Sequence, residues 1–444
     1  MTKFILFGLG MVGASFLRIV KKEHMFDANC WYAIDKNNES KSIFTNIGGK
    51  PQNFSVIDVQ LSDYTPIFSL LEEGDYLLDF SACQSNTDLL KICLEKNIHY
   101  LSTCSLPYEE PDDSVPDYHD FCIYRNIKKN AQTSAATSII EFGMNPGMVS
   151  CFAKQAIKEI IKKDTGDFVT THRKELLALV ENEKYAEAAQ MLEVDIIHVS
   201  DIDTTECKFI PNADTLYSTW NIDAFCKENT APCEISLGTD IDVEKLSAIK
   251  QDNNAYDGFF IANDISIHTP EQSYSPYGSF VGHIVPHEEI YTIAYFFSLY
   301  KQDKLVYKPS VYFVYLPSPV AVESLVNGLA NNFLGMNEYI IGPDDIAKGG
   351  EAVGVVVNGK NFQTRYFGNC LEAPIEGETP TILQVSASAF AAFRYMLDSP
   401  NEGFLLPEEL NDEKILEYAR PILQKYISFE CPPLERTFFS KYGA

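Results

Sequence analysis

Phe4-Ile5-Leu6-Phe7-Gly8-Leu9-Gly10-Met11-Val12-Gly13 runs as a short apolar strand, a glycine turn and the start of a helix. Trp31-Tyr32-Ala33-Ile34-Asp35 follows as a second strand that ends in an acid. Together they make the G-x-G-x-x-G fingerprint of a βαβ dinucleotide-binding unit. Gly8 is expected to make the tight turn. Gly10 lets backbone approach a pyrophosphate, whose charge the unpaired N–H groups at the helix start, around Met11 and Val12, can stabilise. Gly13 lets helix and strand pack closely. Asp35 can accept hydrogen bonds from a ribose 2′-hydroxyl and would repel a 2′-phosphate. NAD is therefore favoured over NADP, although Lys36 beside it softens the preference. A tight turn in an unrelated α/β protein would share the glycines, but not the preceding strand together with the acid at this distance.

Bulk properties exclude more than they assign. The 444 residues have room for two domains, or for one with a large insertion. The formal net charge is −27, from 62 acidic and 35 basic residues. Such a balance argues against nucleic acid and against anionic membrane surfaces. It suits a cationic small molecule, or it is simply a solvated acidic surface. The eleven cysteines are scattered without a C-x-x-C pair. Neither a zinc site nor a disulfide framework is indicated, no other metal-ligand pattern stands out, and reduced thiols of the cytoplasm are expected. Lys3 before an apolar run resembles a signal peptide, but the glycines fall at dinucleotide-binding positions and no A-x-A-like site follows. No apolar run is long enough to span a membrane.

Strand and helix alternate over residues 1–145, which predicts a Rossmann-type parallel sheet. Tyr76-Leu77-Leu78-Asp79-Phe80-Ser81 reads as a strand, residues 88–96 as a helix, and Ile98-His99-Tyr100-Leu101-Ser102 as the next strand. Ligands bind outside the carboxyl ends of such strands, which places Ser81, Thr103 and Pro107 near a cofactor or substrate, or merely in the loops that shape it. Residues 150–163 and 176–192 read as helices. From Val194 the texture turns to short strands broken by Pro, Gly and Asn, so residues 146–380 read as a second α+β domain. Residues 381–397 read as a buried helix, and the segment 380–444 is expected to pack back on the first domain.

Three groups carry possible chemistry. Asn145-Pro146-Gly147 presents an amide before a helix, at the junction of the two regions. Trp220 and Glu228 form the second group; Trp220 is one of only two tryptophans. A tryptophan face attracts an ammonium by about 0.5–2 kcal/mol. A carboxylate about 4 Å away adds on the order of 4 kcal/mol at an effective dielectric near 20, before desolvation. Core packing is the plainer role for Trp220. The third group is His287-Glu288-Glu289. On an extended chain His287 and Glu289 share a face, and a histidine beside a carboxylate can pass protons near neutral pH. An exposed charged turn is the plainer alternative, and the following residues 290–295 suit a strand or a helix.

Arginine is absent between Arg173 and Arg365, although a substrate carboxylate usually recruits its two-pronged donor set. The same region offers Asp201, Asp203, Glu206, Asp223, Glu228, Glu289 and Glu351. A cationic, carboxylate-free substrate fits, and polyamines meet that description.

At this point the chain resembles the bacterial homospermidine synthases, within the wider saccharopine dehydrogenase-like group. The likeness rests on Gly143-Met144-Asn145-Pro146-Gly147-Met148-Val149-Ser150, His198-Val199-Ser200-Asp201-Ile202-Asp203-Thr204, Thr219-Trp220-Asn221-Ile222-Asp223 and His287-Glu288-Glu289, with Leu383-Gln384-Val385-Ser386-Ala387-Ser388 and Arg420-Pro421 further on. The resemblance implies conversion of two putrescines to homospermidine and ammonia. NAD would be held as a prosthetic group that takes a hydride and returns it, with imine intermediates. It further implies a cytosolic homodimer acting on putrescine and related diamines. Trp220 would stabilise the cationic intermediate, Glu228 would anchor an ammonium, Asn145 would orient the amine, and His287 and Glu289 would handle protons. Asp201 and Glu351 would bind substrate. Asp201 stands where the family has glutamate, Glu351 where it has aspartate, and Cys151 where it usually has histidine. The segment Tyr100–Tyr108 lacks the family's acid and tryptophan. The competing readings are a saccharopine or carboxynorspermidine dehydrogenase-type oxidoreductase and a non-catalytic NAD-binding sensor.

Overall fold

A computed structural model describes residues 2–59, 63–81, 86–103, 118–130, 135–242, 245–246, 259–435, 438 and 441. The chain forms two units, Met1–Cys151 with Ile382–Gln424, and Phe152–Thr381 with Lys425–Ala444.

The sheet of the first unit has seven strands, all parallel. Their order is Phe404–Leu405, Ser138–Ile139, His99–Ser102, Tyr76–Asp79, Phe4–Phe7, Trp31–Asp35 and Phe54–Val56. The central strands are short apolar runs because helices cover both of their faces. On one side Ile5, Phe7, Ile34, Leu77 and Tyr100 pack with Leu89, Leu90 and Cys93 of the helix Asn86–Lys96. On the other, Phe393 of the helix Pro380–Asp398 meets Phe4, Phe16, Trp31 and Tyr76 with ring centroids 5.6–6.1 Å apart. Trp31 is therefore a core residue.

The C-terminal segment does not return to one place. Residues from Ile382 to Gln424 belong to the first unit, whereas Tyr426–Glu430 pairs antiparallel with Arg365–Glu372 and belongs to the second. A strand must satisfy its backbone in a sheet, and the open edge beside Arg365–Glu372 provides it.

In the second unit Val194–Asp203 lies at the middle of a nine-stranded sheet, parallel to Ser310–Leu316 on one side and antiparallel to Gly350–Gly359 on the other. The pleat sends alternate residues to opposite faces. Ile196, Ile202, Tyr312, Val314, Ala352 and Val356 enter one apolar core. Asp201, Asp203, Phe313, Tyr315, Glu351 and Val353 occupy the opposite face. The single helix expected over residues 176–192 is two, Asp167–Glu181 and Tyr185–Leu192. Asn182 closes the first, and Glu183 at φ +58° turns the chain through the left-handed region before the second. No helix among the described residues is long and apolar enough to cross a membrane.

Candidate active site

The first unit carries a cradle for a dinucleotide. Gly8 has φ +89°, and a Cβ there would lie 2.7 Å from the backbone of Phe80 and Ser81; a Cβ on Gly13 would lie 2.3 Å from the Gly8 oxygen. Neither position tolerates a side chain. Beside Gly10 the corresponding space is open, and Gly10 and Met11 are exposed. The helix Met11–Lys22 starts with no side-chain cap and no acid in its first turn, so its N-terminal dipole is left for an anion. Asp35 is buried and accepts from Leu9 N through Oδ2 and from Asn37 N through Oδ1, both at 2.7 Å. It fixes the glycine turn to the end of the second strand, and each carboxylate oxygen keeps a further lone pair for a hydroxyl. These residues fit a dinucleotide.

Ser81 stands at the carboxyl end of Tyr76–Asp79. Its N and Oγ donate to Asp79 Oδ1 at 2.9 and 2.7 Å, and the Tyr100 hydroxyl donates to Asp79 Oδ2 at 2.8 Å. Burial pushes the Asp79 carboxyl up to about 6 against these bonds. Asp79 is a support that no sequence motif marks. Thr103 follows the strand His99–Ser102 and is half-buried; Pro107 lies outside the described residues. Asn145 is half-buried in a turn closed by Gly143 N donating to Pro146 O at 2.8 Å.

The second unit holds Trp220, Glu228, His287, Glu289, Asp201 and Glu351; Asn145 and the cofactor candidates are in the first. Asn221 caps the helix Ile222–Thr230 by accepting from Ala224 N at 2.9 Å. Trp220 precedes that cap and keeps part of its surface open, unlike Trp31; Glu228 rides on the helix. His287 and Glu289 are not on an extended chain. Glu288 has α-helical angles, and Glu289 begins the helix Glu289–Phe296. The carboxylate of Glu289 bonds His287 Nδ1, Glu288 lies 3.5 Å from the same atom, and Glu228 Oε1 lies 3.9 Å from His287 Nε2. The Tyr291 hydroxyl donates to Glu234, which fastens this helix to the strand Pro232–Ser236.

Charge follows from this packing. Burial raises the Glu228 carboxyl to about 8; His287 opposes the rise, and Glu288, Glu289 and Asp201 add to it. Burial alone would lower His287, but Glu289, Glu288 and Glu228 hold its pKa well above the ordinary histidine range. Glu351 is raised well above its usual value by burial, with Asp201 and Asp203 adding; Asp203 reaches about 6 through burial, against bonds from Thr205 and Thr219. The charges that act most strongly on Glu228 are His287 and the acids Glu288, Glu289 and Asp201, and on Glu351 the acids Asp201 and Asp203. His287, Glu288 and Glu289 also offer ligand atoms within 4.8 Å of one another, so a cation of either kind, metal or ammonium, has donors here.

The register explains the gathering. Asp201 is paired with Tyr315 and Val353, and Asp203 with Glu351. Burial keeps the Tyr315 hydroxyl protonated, and Asp201, Glu351, Asp203 and Glu228 add to the effect. Tyr315 stacks on Phe313 at 5.7 Å, and Phe313 meets the His287 ring edge-on at 5.2 Å. Thr219 donates to Asp203 at 3.4 Å and Thr381 to Thr219 at 3.3 Å. Sequence reading missed Tyr315, Phe313 and the two threonines. For Phe313 and Tyr315 the only signal was the β-branched and aromatic run Val311-Tyr312-Phe313-Val314-Tyr315, which marks a strand but not its neighbours.

Residues 4–136 match the model of the Saccharopine dehydrogenase NADP binding domain. A homospermidine synthase of Blastochloris viridis is 24% identical over 437 residues, covering 94% of this chain and 89% of the relative. Another, from Mesorhizobium japonicum, is 23% identical over 452 residues, covering 97% and 91%. The crystal structure of the homospermidine synthase of Legionella pneumophila in complex with NAD superposes with a TM-score of 0.83 at 24% identity, over 97% of this chain and 91% of that one. Apo saccharopine dehydrogenase of Saccharomyces cerevisiae superposes with a TM-score of 0.60 at 9% identity, over 97% of this chain and all of that one, which is a likeness of fold. Over nearly its whole length this chain is thus similar to homospermidine synthases, and residues 4–136 match a saccharopine dehydrogenase-type dinucleotide-binding domain.

Proposed function

We propose that this protein is an NAD-dependent homospermidine synthase, transferring a 4-aminobutyl group from one putrescine to the amine of a second with release of ammonia. The acid set gathered around His287 carries the reading: Glu289 and Glu288 stand at its Nδ1 and Glu228 at its Nε2, with Asp201 acting on Glu228 in turn. Buried carboxylates crowded together want a cation, and a diamine supplies two. The names of the relatives and the NAD held by the Legionella structure support it.

Gly8, Gly10, Met11, Val12, Gly13, Asp35, Ser81 and Thr103 would hold NAD, which when bound supplies reversible hydride acceptance. Free alkyl amines have a pKa of about 10.4 by analogy with Lys, so the reacting amine must lose its proton while the remote one keeps it. Glu228 ionises against the remote ammonium, because that cation offsets Glu288, Glu289 and Asp201. The face of Trp220 stabilises the iminium as it forms. His287, held by Glu289, passes protons to and from the reacting amines. Asp201 and Glu351 bind the ammonium of the second diamine, and Asn145 orients the bound amine. Exclusion of water prevents hydrolysis of the imine to an aldehyde. The free thiols among the described residues are consistent with the cytoplasm, where we place the enzyme as a homodimer.

A net oxidoreductase for amino acids would need a carboxylate clamp. The two arginines that bracket the gap are engaged elsewhere: Arg173 donates to the carbonyls of Ile161 and Asp164, and Arg365 to Glu430 and Ser428. The test is incubation with putrescine and NAD, following NADH by absorbance and products by mass spectrometry. Homospermidine and ammonia without accumulating NADH is expected. Accumulating NADH, or no product, overturns the proposal and turns the search to amino-acid dehydrogenase substrates or a sensor role.

A further inference from the structure

The helix Ile222–Thr230 buries Ile222, Phe225 and Asn229, one stripe along a single face. Two are apolar. The third is an amide with 0% of its surface exposed. A buried amide at a core position is costly unless its polar atoms are bonded. Asn229 Nδ2 donates to Phe225 O at 2.7 Å, and Oδ1 is bonded to Nε2 of His283.

His283 is buried on the strand Gly278–Val285, paired with Tyr315 of Ser310–Leu316, and so lies on the acid-bearing face of the sheet. Burial lowers its pKa to about 4. The ring is neutral at physiological pH, and Nε2 carries the hydrogen that Asn229 Oδ1 accepts. Asn229 directly follows Glu228. His287 comes four residues after His283, and its Nε2 stands 3.9 Å from Glu228. The bond therefore closes a bracket whose arms end in Glu228 and His287.

We infer that His283 and Asn229 are a positioning pair, which sets where Glu228 stands against His287 and so how tightly the remote ammonium of the diamine is held. This rests on Glu228 receiving that ammonium. Leucine at 229 would complete the apolar stripe and bury as well as asparagine does. Leucine at both 229 and 283 would leave no polar atom of the pair unbonded, so stability alone gives no reason for the pair; placement of the neighbouring carboxylate does.

Asn229→Leu, His283→Leu, the double variant and His283→Gln in the full-length protein test the pair, with putrescine kinetics, NAD affinity and thermal midpoint measured for each. Glutamine can present an amide hydrogen where His283 Nε2 presents its own. Each leucine variant should raise KM for putrescine about tenfold or more, the range for one misplaced charge-assisted contact, with kcat within about threefold and NAD affinity unchanged. The double variant should be no worse than either single one, and His283→Gln should stay within about threefold of the parent. Leucine variants with unchanged KM, losses that add in the double variant, or a glutamine variant as poor as the leucine one would each overturn the pair while leaving the diamine reading intact. A parent protein that turns over no diamine overturns both.

Discussion

In the proposed reaction Glu228 and Trp220 would divide the recognition of a diamine between charge and a ring face. Glu228→Gln keeps the shape of the side chain and removes its charge. It should raise KM for putrescine about 10–100-fold, the value of a hydrogen bond to a charged group, and leave NAD affinity unchanged in a binding titration. Trp220 is partly exposed, so its removal opens little core. Trp220→Ala should therefore keep bound NAD while losing activity or releasing aldehyde, read by carbonyl derivatisation of the product mixture. Loss of bound NAD together with activity would assign Trp220 to the fold instead. Both residues were legible as candidates from their types and spacing. Tyr315 was not, because nothing local distinguishes it from Tyr312 three positions earlier, which faces the opposite core.

Short elements carry the candidate groups. Ile222–Thr230 and Glu289–Phe296 are helices of nine and eight residues, each held by a buried polar tie to a strand: Asn229 to His283, and Tyr291 to Glu234. Helices this short draw their stability from packing rather than propensity. That is why residues 290–295 suited strand or helix on pattern alone, and why His287 and Glu289 meet without the extended chain expected of them. The glycine turn behaves oppositely. Its geometry is dictated by contacts over a few residues, and Gly13→Ala would force a methyl to 2.3 Å from the Gly8 oxygen. Overpacking of this kind costs about 1–3 kcal/mol, and the shift it imposes falls on the turn itself. NAD affinity should drop at least tenfold by calorimetry, with putrescine binding changed little.

Burial of acids also sets how the folded chain answers pH. Asp79 and Asp203 are raised to about 6 and Glu228 to about 8, all above their unfolded values. Below the unfolded values these groups are protonated in both states and their contribution to stability is fully present. As pH rises through the folded values the native state must ionise buried carboxyls, and stability is lost. The thermal midpoint should fall between about pH 5 and pH 9, at about 2–4 °C per kcal/mol for domains of this size, and a net charge of −27 deepens the slope by self-repulsion. Putrescine should restore more of the midpoint at pH 8 than at pH 6, because it pairs with the ionised carboxyls. A midpoint that rises with pH over this range would mean that the buried acids are already matched by cations of the chain.

The dinucleotide unit and the expectation of a cationic substrate could be read directly from residue order. Gly8, Gly13 and Asp35 act through near neighbours, and the absence of arginine from 174 to 364 needs no coordinates. The gathering of the acids could not. Asp201 lies more than a hundred residues along the chain from both Tyr315 and Glu351, and only strand pairing with its particular register sets them side by side. A slip of one residue would send Asp201 and Asp203 to the opposite face. The raised Glu228 carboxyl and the high pKa of His287 depend on burial and on neighbours from three separate segments, quantities that exist only once the sheet and its two short helices have closed around them.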